Sequence, residues 1–325
     1  MTALLLLLLV ALATVAAVAA WALGAPEPPP QHQLQLPPRA PAPEAGDDAD
    51  LGHVGAPAIV RRPDRAAVVL AHGLAGFDSI GIGALRVAYF RRAARTLEQL
   101  GYQVVTTRVP PVAALPARGA ALAEAIAALP HDRVTIIGHS MGGLDARWAI
   151  SHGLAARVSD LVTIGTPHRG TPLADILARG PVARARSWAA RLGLPTDAID
   201  WLTTWKLAEL APLMPDADEV RYTSVVGVAA RARVHPLLLA PHLYLSLVAG
   251  PNDGMVPEAS QRWGTVLAAE SLDHFAQIGW AGGAAAAMLA RSLQQLRALP
   301  MPAPAPVPVP VQVPVQVPVP VIELQ

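Results

Sequence analysis

The chain has 325 residues, of which 53% are hydrophobic and only 15% charged, against about 25% charged in an average soluble domain. A formal net charge of +1 excludes the basic footprint of a nucleic-acid binder, and so little charge excludes disorder driven by charge excess. Without any cysteine, disulfides, thiolate metal sites, a cysteine nucleophile and an acylated lipoprotein cysteine are all ruled out.

Proline divides the chain. Of 33 prolines, nine lie in residues 26–57 and nine in residues 300–320. Residues 1–24 read as an apolar leader, 25–57 as a proline-rich linker, 58–299 as one folded catalytic domain and 300–325 as a Pro/Val-rich tail. The leader carries no charge from Ala3 to Gly24 and includes the leucine run Leu4–Leu9, enough for the roughly 20 apolar residues of a membrane span. A retained transmembrane anchor and a cleaved signal peptide both fit. Ala17-Val18-Ala19 offers a small-x-small cleavage site, but no lysine or arginine precedes it. Either reading predicts a domain outside the cytoplasm, membrane-anchored or secreted. The linker is an extended tether. The tail is polyproline-like, either a spacer or partner-docking strip or a disordered end.

Within the domain, Ala66–Ala71 is a short apolar run that ends at His72-Gly73 and predicts a buried strand. Leu85–Leu100 has helical spacing and stops at Gly101. Strands are predicted at Tyr102–Val109, Val134–Ile137, Val158–Ile164, Tyr222–Val228 and Leu243–Ala249. Helices are predicted at Ala117–Leu129, Leu144–His152 and Ala284–Leu299. Short apolar strands alternating with helices predict an α/β fold, a mostly parallel sheet covered on both faces. Such sheets bind ligands at the carboxyl ends of their strands.

At one such end lies Gly138-His139-Ser140-Met141-Gly142, followed by Gly143 and a helix. This is the GxSxG pattern between strand and helix that exposes a nucleophilic serine on a sharp turn. The pentapeptide alone arises by chance in about one chain in ten of this length; its strand–helix setting sharpens the signal. A serine hydroxyl needs a base, and on this fold the partners follow in the order serine, acid, histidine. Asp253 lies in the loop Pro251-Asn252-Asp253-Gly254, after the strand expected to end at Ala249. His274 is the one histidine beyond it, so the expected triad is Ser140, Asp253 and His274. Asp216 and Asp218 precede a strand rather than follow one, and Asp273 reads as a solvated loop acid. The backbone N–H groups of Met141 and Leu74 are the expected oxyanion donors. His72 is expected to fix the Leu74 loop without transferring protons.

Together these segments resemble the bacterial triacylglycerol lipases of the α/β-hydrolase superfamily. The matching stretches are HGLAGFDSI from His72, IGHSMGG from Ile137, GTPHRGTPLAD from Gly165, YTSVVG from Tyr222, NDGMV from Asn252 and DHF from Asp273. The resemblance implies hydrolysis of acyl-lipid esters beneath a mobile lid. Many of those lipases bind calcium through an aspartate two residues past the catalytic histidine and a glutamine four further on. Here the positions hold Ala276 and Trp280, so no calcium site of that kind, and no cofactor or metal at all, is expected.

The lid is expected at about residues 171–218, where Ile199, Leu202, Trp205, Leu210 and Leu213 recur at roughly helical spacing with Trp201 beside them and Trp188 nearby. Such a stripe is either a packed cap or an apolar face over an acyl pocket, with Trp201, Leu202 and Trp205 as the expected substrate contacts. Arg179, Arg184, Arg186 and Arg191 form an arginine run free of acids, either a solvated face or a contact for anionic headgroups. The expected partners are an acyl-ester lipid and a membrane or lipid–water interface, with no nucleic acid. Thioesterase, amidase, acyltransferase or polyester depolymerase chemistry would use the same triad, and a non-catalytic membrane-tethered binding module is the alternative from another class.

Overall fold

The computed structural model describes residues 67–74, 79–82, 85–90, 93–111, 113–179, 197–279 and 284–300. The expected leader, linker and tail, and with them Trp188, Arg184, Arg186, Arg191 and Trp280, lie outside the described residues. Among the described residues no helix is long and apolar enough to cross a membrane.

The centre is a six-stranded, all-parallel sheet. Its strands are β1 (Ala67–Ala71), β4 (Gln103–Thr106), β5 (Val134–His139), β6 (Val158–Ile164), β7 (Arg221–Gly227) and β8 (Thr265–Glu270), in spatial order β4-β1-β5-β6-β7-β8. A separate antiparallel hairpin joins β2 (Ser79–Ile82) to β3 (Leu85–Ala88). The helices are α1 (Ala93–Gln99), α2 (Leu115–Ala127), α3 (Met141–Ala149), α4 (Pro172–Leu177), α5 (Thr204–Leu210), α6 (Leu239–Val248), α7 (Glu258–Gln261) and α8 (Ala284–Ala298).

Side chains alternate across a strand, and both faces of β1 are buried. Val68 and Leu70 join a core with Leu97 of α1 and Met288 and Leu289 of α8. Val69 and Ala71 join another with Leu122 and Ile126 of α2 and Ala146 of α3. The chain leaves β1 to build β4 on one side, then crosses to β5 on the other. Strand order therefore reverses between β1 and β5, where the loops after adjacent parallel strands part and leave a crevice. A third apolar cluster holds Met141 and Leu144 of α3 against Leu202, Leu207, Leu210 and Met214. The described residues 198–214 of the segment expected to form a lid are thus seated directly on the helix after Ser140.

Two expectations are corrected. Residues 85–88 are a strand, not the start of a helix; Leu85-Arg86-Val87 carries a period-two pattern that pairing with β2 satisfies. Residues 243–248 belong to helix α6, not to a strand. Their alternation mimics a strand, but Leu239, Leu243 and Leu247 also recur at four-residue spacing. Pro241 falls in the first turn, where a missing N–H costs little, and Val248 is the one β-branched residue. The strand that leads toward His274 is β8, not expected from the sequence; a half-buried Ala268, an exposed Ala269 and a terminal glutamate make its pattern faint.

Candidate active site

Ser140 sits between the last residue of β5 and the first of α3. Its φ of 53° is the one positive value at a non-glycine position among the described residues, and with ψ at −127° it occupies a region that only glycine visits cheaply. The neighbouring glycines are required by space. A Cβ on Gly138 would lie 2.6 Å from the Gly143 backbone, and one on Gly142 would lie 2.3 Å from the Ala71 carbonyl oxygen. As the first residue of α3, Met141 has no intrahelical acceptor for its N–H.

The loop after β1 closes tightly over this turn. A Cβ built on Gly73 would come within 2.8 Å of Ser140 Cβ. Arg118, wholly buried in α2, fixes the loop from behind. It donates to the carbonyls of His72 (3.0 Å) and Gly73 (3.3 Å), to those of Pro110 and Pro111, and bidentately to Asp145 of α3. In a trans peptide the C=O and the next N–H point in opposite directions. Holding the Gly73 carbonyl toward Arg118 therefore turns the Leu74 N–H away from it. Burial pushes the Asp145 carboxyl up to about 6, with Arg118 opposing the rise. His72 is buried, with Nδ1 at the Gly73 carbonyl and Nε2 accepting the Val109 N–H, which is a loop-fixing position.

Arg118→Met is expected to cost about 3–5 kcal/mol, because it strands a buried carboxylate. Arg118→Met with Asp145→Leu should recover much of that loss in a denaturant melt while ester turnover stays low. Recovery of both would deny Arg118 its role in aiming Leu74.

Asp253 is fully buried, and each of its oxygens is doubly engaged. Oδ1 accepts the N–H groups of Met255 (2.9 Å) and Val256 (2.8 Å). Oδ2 accepts from His274 Nδ1 (2.8 Å) and Gln277 Nε2 (2.9 Å). The His274 N–H also donates to the Asp253 carbonyl at 2.9 Å. With Nδ1 committed as a donor to a carboxylate, the lone pair of His274 resides on Nε2. The His274 ring lies 4.5 Å, centroid to centroid, from that of His139, the residue before Ser140. Sequence order thus selected residues that the fold gathers at one end of the sheet.

Other residues at this end escaped notice. Gln277 is wedged against glycines at the ends of β6 and β7: a Cβ on Gly165 would meet it at 2.2 Å and one on Gly227 at 1.9 Å. Tyr89 Oη accepts the Gly73 N–H at 3.1 Å and shares a hydrogen bond with His139 Nδ1 at 2.8 Å. It thereby ties the loop of Leu74 to the turn of Ser140. Asp273 is buried, not solvated: it accepts the N–H groups of His235 (2.6 Å) and Ala276 (2.7 Å) and shapes the turn that carries His274. Asp216 pairs with Arg147 and accepts from Trp263 Nε1, away from the histidine. In the cap, Leu202 is buried, Trp201 packs against the α3 cluster, and Trp205 is 40% exposed with Arg179 over its ring at 4.1 Å. Among the described residues no cluster of histidine, aspartate and glutamate has metal-binding geometry.

Burial holds the imidazoles of His139 and His168 well below their ordinary range. His274 adds to the effect at His139, and Arg147 and Arg169 add to it at His168. Both rings are neutral in the fold, yet the unfolded chain protonates them below about pH 6.5. The unfolded state then holds more protons, so stability rises with pH up to about 6.5 and levels off above it. A melting temperature that falls on acidification through that range, with a shallower slope in His168→Gln, is the expected calorimetric result.

Comparison with known proteins agrees with this geometry. Residues 122–178 match the family model of the PGAP1-like alpha/beta domain, a stretch that runs from within α2 through the Ser140 turn to α4. The chain is 27% identical over 239 residues to a triacylglycerol lipase of Vibrio cholerae, covering 62% of this chain and 75% of that protein. It is 28% identical over 209 residues to triacylglycerol lipase 2 of Saccharomyces cerevisiae, covering 60% of this chain and 64% of that protein, so it spans less than two thirds of the yeast relative. The crystal structure of mature Bacillus licheniformis lipase BlEst2 superposes with a TM-score of 0.56 at 27% identity, covering 70% of this chain and 91% of that one. The chain thus has the α/β-hydrolase fold, with a sharp turn at Ser140, and is similar to lipases and esterases of that fold.

Proposed function

We propose that the protein hydrolyses carboxylic esters of acyl lipids through an acyl-enzyme on Ser140. The observation that carries this reading is the Asp253–His274 hydrogen bond of 2.8 Å at the same end of the sheet as a serine held at φ 53°. His274 Nε2 takes the Ser140 proton as Oγ attacks the ester carbonyl. Asp253 keeps the proton on Nδ1 and stabilises the imidazolium. The N–H groups of Met141 and Leu74 receive the developing oxyanion, and the positive end of α3 favours the same charge. His274 then protonates the departing alcohol. Water attacks the acyl-serine by the reverse proton route, releasing the acid and free Ser140.

The relatives named as triacylglycerol lipases support acylglycerols as the substrate class. The cap surface around Trp201, Leu202 and Trp205 supports an apolar acyl site, and the uncharged leader supports a catalytic domain tethered to a membrane or secreted, working at a lipid–water interface. The test is an ester panel. Turnover of p-nitrophenyl butyrate, decanoate and palmitate and of emulsified triolein is expected, with hydrolysis outpacing transfer to added alcohol. Activity confined to thioesters or amides would reject the lipid-ester reading while keeping the triad.

A further inference from the structure

Helix α6 presents an apolar surface that ester hydrolysis does not use. Its inner side buries Pro241, His242 and Leu245. Its outer side leaves Leu247 86% exposed, Val248 53% and Leu243 37%, and Leu237 just before it is 64% exposed. From Val234 to Asn252 the chain holds no aspartate, glutamate, lysine or arginine. Exposed apolar side chains gathered on one uncharged element mark a binding surface.

The helix is firmly mounted beside the candidate site. His242 Nε2 lies 2.9 Å from the Ala229 carbonyl, and Asn252, next to Asp253, donates to the His242 carbonyl and to Ser246 Oγ. A Cβ on Gly254 would meet Leu238 at 3.0 Å.

Two features identify the occupant. Ten residues of helix span about 15 Å, half of the roughly 30 Å hydrocarbon core, so α6 is suited to lie in a membrane surface and not to cross it. The nearest charges before it are Arg231 and Arg233, both exposed and neither in an ion pair among the described residues. No acid occurs between Arg221 and Asn252. A two-fold contact with a second copy would set this surface against itself, with no carboxylate of the segment to meet the arginines. A layer of anionic headgroups over acyl chains meets both features.

We propose that α6 docks on anionic lipid bilayers, its leucine ridge lying among the acyl chains and Arg231 and Arg233 at headgroup level. The docking rests on the surface of α6 itself; the benefit, delivery of lipid to Ser140, rests on the acyl-ester reading above.

The chain has no cysteine, so Leu247→Cys in the full chain provides a single attachment point for an NBD fluorophore. On vesicles of phosphatidylcholine mixed with phosphatidylglycerol, the label is expected to shift to the blue and to be quenched by doxyl-labelled lipid. A label at exposed Glu98→Cys on α1 should do neither. Arg231→Gln and Arg233→Gln should weaken partitioning by about fivefold each. Leu237→Ser with Leu243→Ser should weaken it by about tenfold for each leucine that inserts. This readout is local, so a chain held to vesicles through another segment while the label at 247 stays in water would overturn the proposal. So would a blue shift without lipid that grows with protein concentration, which assigns the surface to a second copy. Turnover of soluble p-nitrophenyl butyrate, expected to be unchanged in all these variants, reads the hydrolase separately from the docking.

Discussion

Ser140→Ala is expected to lower kcat for p-nitrophenyl butyrate by about 10⁶-fold while leaving the melting temperature within a degree or two. Alanine keeps the Cβ that the turn already accommodates, so the strain at φ 53° is unchanged and only the Oγ is lost. Ser140→Gly separates the two contributions further. It removes the same oxygen but relieves a conformation that costs about 1–3 kcal/mol at a non-glycine residue. The glycine variant should therefore be equally inactive and measurably more stable than the parent. Retained turnover in a rigorously clean preparation of either variant would remove Ser140 from the chemistry.

Asp253→Asn is expected to lower kcat by about 10⁴-fold. Every partner of Asp253 is a donor: the N–H groups of Met255 and Val256 on Oδ1, and His274 Nδ1 and Gln277 Nε2 on Oδ2. An asparagine must turn its NH₂ toward one of these pairs. Facing His274, it drives the imidazole to the other tautomer and places a proton on Nε2, where the lone pair is needed. Facing the loop amides, it opposes two N–H groups that cannot turn away. The first outcome removes the base and the second loosens residues 253–256, so stopped-flow kinetics and a thermal melt distinguish them. Gln277→Leu removes one donor and leaves the carboxylate, so its effect should be smaller, near tenfold.

Much of the site was legible because its chemistry is local or ordered along the chain. The turn at Ser140 is contiguous, and its glycines announce crowding that the fold contains. Asp253 was reached partly for a wrong reason. Residues 243–249 are expected to form the strand before it, yet residues 243–248 belong to α6, and a short apolar run does not separate the two by period. The choice of Asp253 over Asp216 and Asp218 rests on that strand, yet its carboxylate does meet His274, the one histidine that follows it. The supporting groups were not legible. Arg118 finds Asp145 at a separation of 27 residues, and Tyr89 finds His139 at 50, pairings that no spacing rule encodes. Asp273 resembles any loop acid until the turn around it forms. The outer face of α6 was hidden for a related reason: leucines expected in a buried strand attract no question, and only the fold reveals that several of them face outward.

The most direct measurement is a crystal structure of the protein inactivated by a long-chain p-nitrophenyl phosphonate. Phosphorus should be bonded to Ser140 Oγ, with its free oxygen within hydrogen-bond distance of the Met141 and Leu74 N–H groups and His274 Nε2 facing the bond to serine. A phosphonate attached elsewhere, or one bonded to Ser140 with its oxygen turned away from both amides, would contradict the catalytic geometry described here.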